Sequence, residues 1–248
     1  SPAAGATNGS AWVASLNSAW TVKTQGFGST PFWISFRFKI PASRLTLSNC
    51  SGQKGWKWCN VAHYSQIDPN SQAASNRNDE HVLQDSDQYG VPQAYHRNSG
   101  GGFPPFVEAF GAYDYKLQNA VDNGAGLPDI DRYCYWTDGG LTLSNGCFEW
   151  PTDEWMTFKM RIEVATYNGS AGNKFDLYAA RWGASSWSHL ITSTGHSVGD
   201  SGEFTGGLNG IWLLNYETNR INSTVDTWQK WDQLIVSTSD IALPAAGS

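Results

Sequence analysis

Hydrophobic and polar residues alternate along two stretches of the chain. In FWISFRFKI, residues 32–40, every second residue is apolar, from Phe32 to Ile40. In WMTFKMRIEVATY, residues 155–167, the apolar set runs from Met156 to Val164. Because successive side chains of a β-strand point to opposite faces of its sheet, this period of two predicts strands with one buried face.

Weaker strand patterns follow towards the end of the sequence. They are KFDLYAARW, GIWLLNYETNR and QLIVSTSDIAL, and no segment keeps the 3.6-residue period of a helix. Long segments rich in Gly, Asn, Ser and Asp separate the strands, at residues 65–80, 98–104, 119–131 and 183–207. We therefore expect a single all-β domain over residues 1–248, a jelly-roll β-sandwich of two antiparallel sheets.

The composition narrows the range of partners. The formal net charge of −6 argues against nucleic acid, because phosphate binding needs a basic face. No apolar run approaches the roughly 18 residues of a membrane span. The chain has 13 tryptophans among 248 residues, more than a core requires, and exposed indoles stack well on the apolar faces of sugar rings. We expect a monomer that binds carbohydrate.

The cysteines and the first residues indicate an extracellular protein. The four cysteines form two close pairs, Cys50 with Cys59 and Cys134 with Cys147, and CxxC spacing is absent. Two local disulfides are therefore a better interpretation than a metal site. The sequence begins with SPAAGATNGS, which has no charged and then apolar leader, so we expect a secreted protein whose signal peptide has been removed.

Four short motifs resemble a known family. WQKWDQLIVSTSDIALP resembles the closing strand of concanavalin-A-like (laminin-G-like) jelly rolls, with Trp231 and Asp232 before the apolar run. DEWMTFKMRIEV is similar to an internal strand of the same domains. QAYH and WLLNYETN resemble two strands of jelly-roll polysaccharide lyases of the alginate- and glucuronan-lyase type, the first a Gln-x-His strand and the second a strand with a reactive tyrosine.

The resemblance implies a lyase that cleaves a uronate-containing polysaccharide by β-elimination. Such an enzyme needs a base for the C5 proton, an acid for the leaving oxygen and a group that neutralises the carboxylate. The candidate catalytic residues are His96, Tyr216, Gln93 and Arg97. The QAYH motif is one residue longer than Gln-x-His, so in a regular strand Gln93 and Tyr95 share one face and His96 lies on the other, unless a bulge intervenes.

Further candidates come from the polar faces and ends of the predicted strands. The expected substrate-binding residues are Trp33, Arg37, Tyr95, Lys159, Arg161, Tyr178, Trp212, Asn219 and Arg220. The resemblance also implies a structural calcium ion, for which Asp232 is the candidate ligand, and it implies no cofactor for catalysis. The remaining histidines lack the spacing of a zinc site.

Two other functions stay open at this point. A jelly-roll glycoside hydrolase would need two carboxylates at a fixed separation, and Glu163 with Glu217 is the best pair that the sequence offers. A lectin-like carbohydrate-binding domain would need only the aromatic platform and hydrogen-bonding side chains.

Overall fold

The computed structural model describes residues 11–15, 31–41, 56–64, 77–85, 92–98, 106–109, 111–113, 136–137, 140–141, 148–166, 169–198, 210–217 and 228–245. Among these residues there is no helix, and so none with the length and apolar character that would let it cross a membrane.

The chain forms strands throughout the described residues. The first seven are β1 (Ala11–Ser15), β2 (Phe32–Lys39), β3 (Trp56–Tyr64), β4 (Arg77–Asp85), β5 (Pro92–Asn98), β6 (Phe106–Ala109) and β7 (Gly111–Tyr113). The others are β8 (Trp136–Thr137), β9 (Gly140–Leu141), β10 (Phe148–Trp150), β11 (Met156–Glu163), β12 (Lys174–Arg181), β13 (Ser188–Thr194), β14 (Gly210–Glu217) and β15 (Lys230–Ser237).

Two antiparallel sheets contain most of these strands. The six-stranded sheet has the order β1-β14-β3-β4-β5-β6, and the five-stranded sheet has the order β13-β12-β11-β2-β15. Two short ladders, β7 with β10 and β8 with β9, accompany them. The predicted all-β sandwich of two antiparallel sheets is confirmed.

The core lies between the two large sheets and follows the predicted alternation. From β2 and β11 it takes the apolar positions, all of them 0% exposed: Phe32, Ile34, Phe36, Phe38, Met156, Phe158, Met160 and Ile162. The six-stranded sheet contributes Val61, Leu83, Ala94 and Ile211 to the same cluster. Burial of one face on each sheet is the main source of stability for such a sandwich.

A bulge interrupts the regular alternation of β3. Lys57 pairs with Gln84 of β4 and Cys59 pairs with Leu83, so β3 has one residue more than β4 at this point. The extra residue is Trp58, and it allows Trp58 and Cys59 to enter the core side by side.

Trp58 joins the two sheets. Its ring centroid lies 5.3 Å from that of Phe38 on β2 and 6.0 Å from that of Phe158 on β11. The indole of Trp231 on β15 donates a hydrogen bond of 3.2 Å to the backbone carbonyl of Trp58 and packs on Phe38 with centroids 5.6 Å apart. Side chains of three strands of the five-stranded sheet therefore hold β3 in place.

The first predicted disulfide is corrected by the structure. Cys59 is a free thiol that faces the sandwich core with 0% exposure, so it is not joined to Cys50. Burial raises the pKa of this thiol far above its usual value, which keeps it protonated and unreactive. Cys50, Cys134 and Cys147 lie outside the described residues, and the second pair stays a prediction.

We expect Trp58→Ala to lower the free energy of unfolding by about 3–5 kcal/mol, because it opens a cavity between the sheets. Denaturant titration followed by circular dichroism measures the change. Trp182→Ala is the matched control: Trp182 is 46% exposed, so its loss should cost less than about 1 kcal/mol. Equal costs for the two variants would contradict the bridging role of Trp58.

Candidate functional site

The six-stranded sheet has a second face, turned away from the core, which we call the outer face. Ala94 and His96 of β5 are buried on the core side, so Tyr95 between them belongs to the outer face. Pairing across the sheet continues this row from Tyr95 to Val82 of β4, Asn60 of β3 and the register position of Trp212 on β14.

The neighbouring row of the outer face carries polar residue types on four adjacent strands. Lys57 of β3 is paired with Tyr216 of β14 on one side and with Gln84 of β4 on the other. Gln84 is in turn paired with Gln93 of β5. Since directly paired residues share a face, a phenol, an ammonium group and two amides occupy one line of register positions.

Lys57 and Tyr95 connect the two rows. The Lys57 ammonium nitrogen lies 5.6 Å from the centroid of the Tyr95 ring, within the range of a cation–π interaction. Tyr95 is only 9% exposed and Asn60 is 0% exposed, although both lie on the face turned away from the core. The middle of the outer face is therefore largely buried rather than an open surface.

Lys57 and Asn60 were missed by the sequence analysis. The segment WKWCN, residues 56–60, shows no clean alternation because the bulge at Trp58 shifts its phase. The two tryptophans that flank Lys57 gave no signal of its position, because Trp58 belongs to the core.

The structure separates His96 from the other predicted catalytic residues. No register shift interrupts β5 between Gln93 and His96, so the bulge that would have brought them to one face is absent there. The His96 ring is 0% exposed in the sandwich interior, where a polymer cannot reach it. Among the other candidates, Arg97 has its register position opposite Glu80, and Asn219 and Arg220 lie outside the described residues.

Part of the polar face of the five-stranded sheet is covered by residues 240–245. Lys159 is 3% exposed, and its ammonium nitrogen lies 2.6 Å from an Asp240 carboxylate oxygen. It also donates a hydrogen bond of 3.2 Å to the Ile241 carbonyl and lies 4.7 Å from the Tyr178 ring centroid. The predicted substrate-binding role of Lys159 would therefore require this segment to move away.

The two arginines of the same face also have protein partners. Arg37, 4% exposed, donates a hydrogen bond of 3.2 Å to the Ala245 carbonyl and stacks on Trp182 at 4.6 Å. Arg161 forms ion pairs with Glu163 at 2.6 Å and with Asp176 at 3.2 Å. Its guanidinium carbon lies 5.8 Å from the centroid of Trp33, another predicted sugar-binding residue. The positive charges of Arg37 and Arg161 therefore interact with other groups of the protein.

Tyr178 has an environment that opposes ionisation. Partial burial, followed by the carboxylates of Asp176 and Asp240, raises the pKa of its phenol above the usual value, and Arg161 offsets only part of this. Tyr178 also stacks on His189 with ring centroids 4.4 Å apart. A phenol held in its neutral form is a poor base.

The predicted hydrolase pair is not brought together. Glu163 lies on β11 of the five-stranded sheet, where it is paired with Arg161, and Glu217 ends β14 of the six-stranded sheet. Stacked sheets are about 10 Å apart, and Glu163 belongs to the side of its sheet turned away from the core. This arrangement does not match the separations of about 5–9.5 Å that glycosidases use.

Three histidines from distant parts of the sequence meet inside the sandwich. They are His81 of β4, His96 of β5 and His196 in the segment after β13, with exposures of 0%, 0% and 4%. Burial and the two neighbouring histidines lower the pKa of His81 well below its usual value. Burial and His96 lower the pKa of His196 to about 3. Both of these rings are therefore neutral at physiological pH.

These three histidines are the group of metal-ligating side chains found in the described part of the chain, and Asp232 is not a member. Asp232 is exposed on β15, and its carboxylate accepts a hydrogen bond of 2.8 Å from the backbone N–H of Gln233. A calcium ion at Asp232 stays a prediction.

Solved structures that resemble this chain include alginate lyases, the family type to which the sequence motifs pointed. Alginate lyase Aly36B has a TM-score of 0.45 at 9% identity over 84% of this chain and 70% of its own. Alginate lyase AlyC3 has a TM-score of 0.41 at 9% identity, over 86% of this chain and 66% of its own. A xylan β-1,4-xylosidase from Bacillus halodurans has a TM-score of 0.41 at 10% identity, over 84% of this chain and 28% of its own. No protein-family model matches the sequence, and neither does any curated protein.

We expect Asp240→Asn to lower the free energy of unfolding by about 1–2 kcal/mol, because it leaves the buried Lys159 ammonium without its carboxylate. Urea titration measures the loss. Glu154→Gln is the control, since Glu154 pairs with Arg181 at 3.4 Å on the surface and should contribute less than about 0.5 kcal/mol. If Asp240→Asn lowers the free energy of unfolding no more than Glu154→Gln does, the ion pair of Asp240 with Lys159 does not anchor residues 238–245, the closing segment.

Proposed function

We propose that this protein is a polysaccharide lyase that cleaves a uronate-containing polymer by β-elimination on the outer face of the six-stranded sheet. The observation that carries the proposal is the position of Lys57. Its ammonium nitrogen lies 5.6 Å from the centroid of the Tyr95 ring, and Tyr216, Gln84 and Gln93 occupy the same register row as Lys57.

The chemistry needs three kinds of group close together. A base removes the proton from C5 of the uronate, the bond from C4 to the glycosidic oxygen breaks, and a C4=C5 double bond forms. The leaving oxygen takes up a proton, and a donor to the carboxylate stabilises the charge that develops next to C5. A phenol serves as base or acid when a nearby cation lowers the free energy of its ionisation.

The residues of the outer face match these requirements. Tyr216 is the proposed base and acid, and Lys57, its register partner, supplies the cation that favours the phenolate. Gln93 and Gln84 are the proposed donors to the uronate carboxylate. His96 is left out of this set because its ring is buried on the core side of the sheet.

Substrate binding on this face would combine stacking with local charge. Tyr95, whose ring lies against Lys57, is the proposed stacking residue, with Trp212 in the same register row. The formal net charge of −6 gives no general attraction for an anionic polymer, so the cations of the outer face must provide it locally. Arg97 of β5 is the second proposed cation.

The first test is incubation of the purified protein with alginate, glucuronan, pectate and hyaluronan. We expect ultraviolet absorbance from the unsaturated uronate product to rise with at least one of them. Reducing ends should appear in parallel, at one per double bond. Reducing ends without that absorbance would indicate a hydrolase, and binding without either product would indicate a lectin; both outcomes refute the lyase.

We expect Lys57→Met to lower kcat/KM on the cleaved polymer by at least about 100-fold, because the variant keeps the stem of the side chain and loses its charge. Lys174→Met, an exposed lysine at the start of β12 in the other sheet, should keep the activity of the unmodified protein. Equal activity of the two variants would remove Lys57 from the mechanism.

Tyr216→Phe tests the proposed proton transfer separately. The loss of one hydroxyl should lower kcat by at least about 100-fold and leave KM within a few-fold, because the ring surface that contacts substrate remains. Rates of double-bond formation over a range of polymer concentrations separate the two constants. A raised KM with unchanged kcat would make Tyr216 a binding residue instead.

A further inference from the structure

Three buried histidines form a polar cluster in the described part of the sandwich interior, and the proposed lyase chemistry does not use them. His81 and His96 are directly paired across β4 and β5, with ring centroids 4.2 Å apart. The His196 ring lies 5.4 Å from the ring of His81 and 5.0 Å from that of His96. Two of the side chains thus come from the six-stranded sheet and the third from the segment after β13, and they meet at one point.

The distances between ring nitrogens suit one transition-metal ion. The Nε2 atoms of His81 and His196 are 3.3 Å apart. Two nitrogens bound to one tetrahedral zinc at about 2.0–2.1 Å are separated by roughly 3.3–3.4 Å. One ligand atom from each of the three rings lies within 4.8 Å of the others, so His96 would have to approach by at most about 1.5 Å.

The segment that carries His196 is held in place by a fixed hydrogen-bond network. Asn173, which is 0% exposed, donates hydrogen bonds from its side-chain amide to the carbonyls of His196, at 3.0 Å, and Thr166, at 2.9 Å. Gly195 donates its backbone N–H to the Asn173 carbonyl at 2.9 Å. The left-handed φ of 72° at Gly195 makes the turn that leads into His196.

A second contact orients His81. The ring of Phe175 on β12 stacks on it, with centroids 5.3 Å apart and an interplanar angle of 16°. This contact restricts the orientation of one candidate ligand ring before metal binds.

We propose that His81, His96 and His196 bind one zinc ion inside the sandwich. Neutral imidazole nitrogen is a good ligand for zinc, and three of them within one buried cluster give a site that oxygen-seeking cations such as calcium do not favour. Because two ligands come from the six-stranded sheet and the third follows β13 of the five-stranded sheet, the ion would link the two sheets. Its role is structural, since the rings are closed off from a polymer.

The wild-type chain, freed of metal with a chelator, provides the primary test. Titration with Zn²⁺ should show saturable binding of one ion per chain, and Co²⁺ in its place should give the intense visible bands of tetrahedral coordination. At free zinc about 100-fold above Kd, the Tm should rise by roughly 5–10 °C. No saturable binding by the wild-type chain would overturn the proposal, whatever the variants do.

Two glutamine variants locate the site. His196→Gln should weaken zinc binding by at least about 100-fold and abolish the rise in Tm. His189→Gln is the matched control, because His189 is an exposed histidine of β13 outside the cluster and its loss should change neither result. Zinc binding that is unchanged in His196→Gln, or lost in His189→Gln, would place the ion elsewhere and overturn the assignment.

Discussion

The packing of Trp58 against Phe38 and Phe158 is the interaction on which the other features depend. It fixes β3 to the five-stranded sheet, and it requires the bulge that puts two successive residues of β3 into the core. The same bulge determines where Lys57 lies. In a regular strand that kept Cys59 in the core, Trp58 would point outward, and the lysine that meets Tyr95 would belong to the core side.

The two outward faces of the sandwich differ in the partners of their cations, because residues 240–245 lie against one face only in the described part of the chain. On the five-stranded sheet, Asp240 and the carbonyls of Ile241 and Ala245 bind Lys159 and Arg37, so the cations there stabilise the fold. On the outer face of the six-stranded sheet, the ammonium nitrogen of Lys57 lies 5.6 Å from the centroid of the Tyr95 ring. A partly buried cation attracts an anion more strongly than a cation in open water does, which suits a site for a carboxylate-bearing polymer.

The strands and the core were predictable from the sequence because alternation is a local property. The alternation over residues 32–40 and 156–164 showed which side chains are buried. The same alternation along β5 already placed His96 and Gln93 on opposite faces of the sheet. The segment that covers the polar face of a strand can be distant in sequence, so the pairing of Lys159 with Asp240 could not be predicted from the sequence. For the same reason, histidines 115 residues apart gave no sequence signal of the contact between His81 and His196.

The most direct test of the account is a crystal structure with a uronate oligosaccharide bound. We expect the sugar to lie across β14, β3, β4 and β5, with a carboxylate near Lys57 and a ring on Tyr95. The closing segment, residues 238–245, should stay on the five-stranded sheet. An oligosaccharide bound instead to Trp33, Arg37 and Lys159, with that segment displaced, would contradict the assignment of the outer face as the active surface.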